Sequence, residues 1–341
     1  MTSRRASAAQ PRGRSARGFG TSLGGALVGL AIAAACTTPA QRKREAIYGP
    51  TESVLEVIAV LRRHVADDTY RFPPATDFTG RNVYRASLLR LENIERIHAE
   101  SLRAGHLDGV VAFAKARALE RLRAYDLAAQ HYRLAAERDA TLRDAALASG
   151  ATCDAIADAL SLGFEPDDPL APEAPLYDPS AADAVVAGLD ARRAALLAAL
   201  PADAGSHYRT IVREELERCD MARAHWFEAM RFALPQGQVR AVAERQRVAT
   251  RHAASHRHLR HLIALANLYA TLAHEYVAAV PPESLAFDPA RLRELSDAAT
   301  KLYQRVATRD GAPEKLEAAR RLEAFLAFTL QVDRDRFTSA P

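Results

Sequence analysis

The side chains with the most evident chemistry in this chain of 341 residues are four histidines, His252, His256, His258 and His261, grouped between Arg251 and His261. Imidazole is a common metal ligand. His252 and His256 stand four apart, share one face of a helix and offer two positions of a tetrahedral metal set. His258 and His261 fall on other faces. No neighbouring Asp, Glu or Cys completes a set, and Arg251, Arg257 and Arg260 repel a cation. A solvated basic face is the better reading. His274-Glu275 lacks the second histidine of a zinc-protease motif. Gly205-Ser206 lacks the flanks of a nucleophile elbow, and Ser206 reads as a helix cap. The side chains of Asp67-Asp68 and of Asp167-Asp168 diverge, as neighbours in loops do, so neither pair reads as an acid–base couple. Trp226 beside Phe227 reads as core rather than as a ligand platform. No phosphate-binding glycine loop occurs. These residues give no catalytic set, no metal site and no cofactor motif, and the expectation is a protein that is not an enzyme.

The chain has three cysteines, Cys36, Cys153 and Cys219. If the protein is exported, Cys153 and Cys219 meet conditions that permit a disulfide. The alternative is two small buried thiols. Pairing needs Cα atoms within about 7 Å, which sequence does not decide.

The formal charge of +4 is concentrated at one end. Residues 1–35 carry five arginines and no acid, which leaves 41 basic against 42 acidic residues beyond them. That balance gives no reason to expect nucleic acid as a partner. Residues 36–341 are long enough for one large or two moderate cores. Ala and Leu dominate, and they are the strongest helix formers. No alternating β-branched segment occurs, so the expected fold class is all-α with no β-sheet.

The elements that position these residues are helices. Ser53 with Glu56 forms a capping box, followed by Val54, Val57, Ile58 and Leu61 on one face. Residues 66–81, with Pro73-Pro74 and Gly80, read as a loop. Leu88, Leu91, Ile94 and Ile97 mark a second helix that Gly105 closes. Three more helices fill 107–160. Five prolines between Pro166 and Pro179 make 162–182 a linker or long surface loop. Helices follow from Ser180 to about Leu200 and from Ser206 to about Leu234. The 43 residues between Gly237 and Pro281 contain no Gly or Pro; they form one helix of about 65 Å, or two with a kink. Asp288-Pro289 starts the next helix, and the last begins near Pro313. The organisation is therefore 1–35 export signal, 36–50 tether, 51–161 N-terminal helical region, 162–182 linker and 183–336 C-terminal helical region.

Arg4, Arg5, Arg12, Arg14 and Arg17 precede an apolar run from Phe19 to Ala35, which ends in Ala33-Ala34-Ala35-Cys36. A basic stretch, an apolar stretch and small residues at a cut site mark a secretory signal. The ending resembles the lipobox of bacterial lipoproteins, with Ala33 where leucine is commonest. An uncleaved membrane helix fits less well, because the run is short for spanning and holds Gly20, Gly24, Gly25 and Gly29. The resemblance implies a lipid anchor on Cys36. With Thr37 where an inner-membrane retention signal has Asp, it implies an outer-membrane protein facing the periplasm.

The segment from Tyr125 to Asp139 resembles the second helix of a tetratricopeptide repeat, with Ala128, Tyr132 and Ala135 as its small, aromatic and small positions. Ala116 supplies the small residue of the first helix, and Lys115 departs from the expected leucine. Ala299 and Tyr303 begin a second copy; Ala222, Trp226 and Ala229 make a weaker third. The resemblance implies a TPR-like α-solenoid, here of about eight to ten helices, stacked as hairpins. It also implies that Phe113, Arg117, Glu120 and Arg121 line a surface for a partner. The expected function is a protein-binding adaptor in envelope assembly. The alternatives are an enzyme acting on the cell wall or an exported substrate through the long loops, and a small-ligand carrier.

Overall fold

The computed structural model describes residues 50–64, 83–163 and 179–336. Cys36, the segments before it, the loop 66–81 and most of the 162–182 segment lie outside the described residues. Eleven α-helices run in chain order: α1 Pro50–His64, α2 Val83–Ala104, α3 Asp108–Arg121, α4 Tyr125–Arg138, α5 Arg143–Leu160, α6 Ala182–Ala198, α7 Tyr208–Ala229, α8 Gly237–Arg251, α9 His258–Ala279, α10 Pro289–Ala307 and α11 Lys315–Asp335. Among the described residues there is no strand, and no helix is long and apolar enough to cross a membrane. Each helix packs on the next, which gives, among the described residues, an all-α array of helices packed in neighbouring pairs.

The cores overlap along the array as neighbouring repeats do. Val54, Tyr84, Leu91 and Val111 join α1 to α3. Ala116, Ala128, Tyr132, Cys153 and Leu196 join α3 through α6, and Tyr208, Ile211 and Val212 of α7 enter the same core. The other end of α7 gives Trp226 and Phe227 to the next core, shared with α6, α8 and α9. Tyr303 and Phe325 close the last helices. The hydrophobic core thus runs across the proline-rich segment rather than stopping there.

Local chemistry explains most boundaries. Asp288 caps α10, its Oδ1 accepting from Ala290 N at 2.8 Å. Ser206 Oγ accepts from Tyr208 N at 3.3 Å, just before α7. Gly105 follows α2, but the left-handed residue that turns the chain is His106, at φ 54°. At the junction of α5 and α6, Arg192 donates to the carbonyls of Leu160 (2.8 Å) and Leu162 (2.5 Å), capping α5 from its neighbour. There Gly163, at φ 68°, lies so close to Gly188 that a Cβ on it would meet backbone at 2.9 Å.

The stretch between Gly237 and Pro281 is two helices separated by a turn at 252–257. His252 ends α8 and His258 begins α9, so His252 and His256 do not share a helix face. Of the residues read as repeat positions, Ala128, Tyr132, Ala135, Ala299 and Tyr303 are buried, as are Ala222 and Trp226, whereas Ala229 is exposed. Lys115 replaces leucine without leaving a bare charge, because its Nζ donates to Glu95 on α2 at 2.6 Å.

Candidate functional site

The four residues expected on an open face of α3 are drawn instead into a polar cluster beneath α7. Phe113 and Arg117 are partly exposed, whereas Glu120 and Arg121 are only 1 % and 7 % exposed. The expectation of a surface role is corrected for those two. The cause lies about ninety residues further along the chain, where the start of α7 covers them. The hydroxyls of Tyr132 and Tyr208 each donate to Glu120 Oε2 at 2.8 Å. His207 Nε2 lies 3.0 Å from Oε1, and Arg117 Nη1 donates to the same oxygen at 3.2 Å. Phe113 meets Tyr132 edge to face at 5.1 Å, and the Arg117 guanidinium lies over Phe113. The Arg121 guanidinium is buried with no hydrogen-bond acceptor among the described residues, and its charge acts on Glu120.

Burial opposes ionisation of Glu120. The bond from His207 and the charges of Arg117 and Arg121 outweigh it and hold the carboxyl down at about 2. Burial, reinforced by the two arginines, lowers His207 against the pull of Glu120. His207 is therefore neutral at neutral pH. Burial next to this carboxylate raises Tyr132 and Tyr208 and pushes the Cys153 thiol to about 12. Cys153 is thus no nucleophile at neutral pH.

Cys153 and Cys219 are both free and buried. Cys153 Sγ is 3.7 Å from the Tyr208 hydroxyl, while Cys219 Sγ donates to the Leu189 carbonyl at 3.4 Å. Of the two alternatives for this pair, the structure contains the buried thiols.

α7 places three more buried acids along the array. Glu215 receives two bonds from Arg123, each 2.9 Å, and one from the Tyr125 hydroxyl at 2.8 Å. Arg123 reaches it from a left-handed backbone at φ 65°. Glu217 accepts from Ser255 Oγ at 2.9 Å and lies 2.5 Å from His261 Nε2. Asp220 lies 3.0 Å from His252 Nε2 and pairs with Arg193 at 3.1 Å and Arg251 at 3.3 Å. Burial opposes ionisation of all three acids. Several bonds and charges together outweigh it, from Arg123, Arg218 and Tyr125 at Glu215, from His261, Ser255 and His252 at Glu217, and from His252, Arg193 and Arg251 at Asp220, and each carboxyl lies below its ordinary value. His252 and His261 thus end on carboxylates rather than in a metal set. Among the described residues no group of three His, Cys, Asp or Glu side chains could hold a metal ion.

The grouping of Ser255, Glu217 and His261 has the residue types of a hydrolytic triad but not its order. The serine and the histidine both bond the carboxylate, whereas nucleophilic catalysis needs the histidine on the serine. Each cluster joins side chains from different helices, and a docking that left its buried carboxylate unsatisfied would be costly. The sequence signal for them was acids interleaved with apolar residues on one helix, as in Glu215-Leu216-Glu217 and Cys219-Asp220.

No protein-family model, curated protein or solved structure matches the chain.

Proposed function

We propose that this chain is a periplasmic lipoprotein anchored in the outer membrane through Cys36, and that its helical array is an adaptor for another envelope protein. The observation that carries the adaptor reading is the last helix. α11 packs inward through Ala318, Phe325 and Val332. Its outer side presents Leu316, Leu326 and Leu330, exposed by 69 %, 39 % and 69 %, with Glu323 among them. Three exposed leucines on one face of a helix favour a protein partner over solvent. The arginines at 4–17, the apolar run and Ala33-Ala34-Ala35-Cys36 support export and lipidation.

Two experiments test the parts separately. Metabolic labelling with a palmitate analogue should mark the parent and not Cys36→Ala; label retained by the variant refutes the anchor. Crosslinked envelope membranes should yield a co-purifying protein with the parent and not with a Leu326→Asp, Leu330→Asp double variant of unchanged melting temperature. A partner retained equally by that variant refutes the role of the stripe.

A further inference from the structure

Away from Glu120, α6, α7 and α8 enclose a cleft of about 500 Å³. α7 forms its floor and the other two helices its walls. Arg223, on the floor, pairs with Asp190 of α6 and, at 3.1 Å, with Glu244 of α8, and so ties both walls together. Arg247 takes the other oxygen of Glu244 at 2.9 Å. These lining charges satisfy one another. Two do not: Asp183, in the first turn of α6, and Arg240, on α8, both line the cleft, both are exposed, and neither has an oppositely charged partner among the described residues. Val186, Leu234 and Phe227 line the same cleft. Trp226 sits fully buried directly beneath, its ring edge to face with Phe227 at 5.0 Å.

We propose that this cleft binds a short peptide with free termini, its ammonium on Asp183, its carboxylate on Arg240 and an apolar side chain against Val186, Leu234 and Phe227. The volume is within the ~300–1,000 Å³ of small-ligand sites. The charge pattern selects the class: one unpaired acid and one unpaired base on opposite walls match a zwitterion, and a singly charged ligand leaves one of them unmatched. The spacing selects the length. α6 and α8 both pack on α7 and not on each other, so their charges are held further apart than neighbouring helices alone would place them. A free amino acid holds both charges on one carbon, whereas a peptide separates them by ~3.3–3.6 Å per residue. This site is independent of the lipid anchor and of the leucine stripe.

Trp226 is the only tryptophan in the chain, so its emission reports on this cleft. The probe is the tripeptide Ala-Leu-Ala, titrated into the full-length protein. The expected result is a saturable change in emission, matched by calorimetry. Acetylating the amino terminus or amidating the carboxyl terminus should each weaken binding by at least about tenfold, the worth of one charge-assisted hydrogen bond. Asp183→Asn should abolish the sensitivity to acetylation, and Arg240→Gln the sensitivity to amidation. Both side chains are exposed, so both variants should keep the parent circular dichroism spectrum. No saturable signal at millimolar peptide, equal binding of the blocked peptides, or binding indifferent to both substitutions overturns the proposal.

Discussion

Replacing Glu120 by glutamine should cost the protein stability at neutral pH and remove part of its sensitivity to acid. The carboxyl sits at about 2 in the fold against an ordinary 4.5, a difference equivalent to about 3 kcal/mol. Because the folded value is depressed, that contribution is fully present above pH 4.5. It is lost as the pH falls from 4.5 towards 2. Glu120→Gln keeps the size and one acceptor oxygen but leaves Arg117 and Arg121 without their negative partner, so a loss of about 3–5 kcal/mol at pH 7 is expected. Denaturant melts of parent and variant at pH 7, 5, 4 and 3 measure it. Glu95, Glu215, Glu217 and Asp220 titrate in both proteins and cancel in the difference. The gap between the two should therefore narrow only below pH 4.5. If the variant melts within ~0.5 kcal/mol of the parent at pH 7 and the two lose stability in parallel with acid, Glu120 is not the charged centre described.

Other substitutions probe the packing. Tyr132→Ala should cost about 3–5 kcal/mol as a large cavity, and Tyr132→Phe about 1–3 kcal/mol for the bond withdrawn from buried Glu120; denaturant melts separate the two. Ala128→Leu, at a fully buried contact, should cost about 1–3 kcal/mol by overpacking. A Cβ on Gly237 would lie 2.2 Å from the Arg231 carbonyl oxygen, so Gly237→Ala should lower the melting temperature, whereas Gly311→Ala, with open space around it but a left-handed φ of 77°, should cost only about 1–2 kcal/mol. Leu330→Lys should leave stability within ~0.5 kcal/mol, as an exposed change does.

Helix-forming composition and local caps were legible in the sequence because they act over a few residues. Asp288-Pro289, Ser206, and the spacing of Ala128, Tyr132 and Ala135 all do in the structure what their types suggest. The rest depends on distant partners. The break at 252–257 has no Gly or Pro to announce it. Contacts with α7 hold the turn, through His252 to Asp220, Ser255 to Glu217 and His261 to Glu217, across 32 to 44 residues. Glu120 and Arg121 read as surface residues because the helix that buries them starts at Tyr208. Ala229 fits the repeat spacing but sits exposed in the last turn of α7.

The central claim, that the last helix docks a partner in the envelope, is tested most directly by placing a photo-crosslinking amino acid at Leu330 and, as a control, at the exposed Glu137 of α4, in protein expressed in its native membranes. A discrete adduct on illumination from position 330 and none from 137 is the predicted result. No adduct from 330, or the same adducts from both positions, contradicts it.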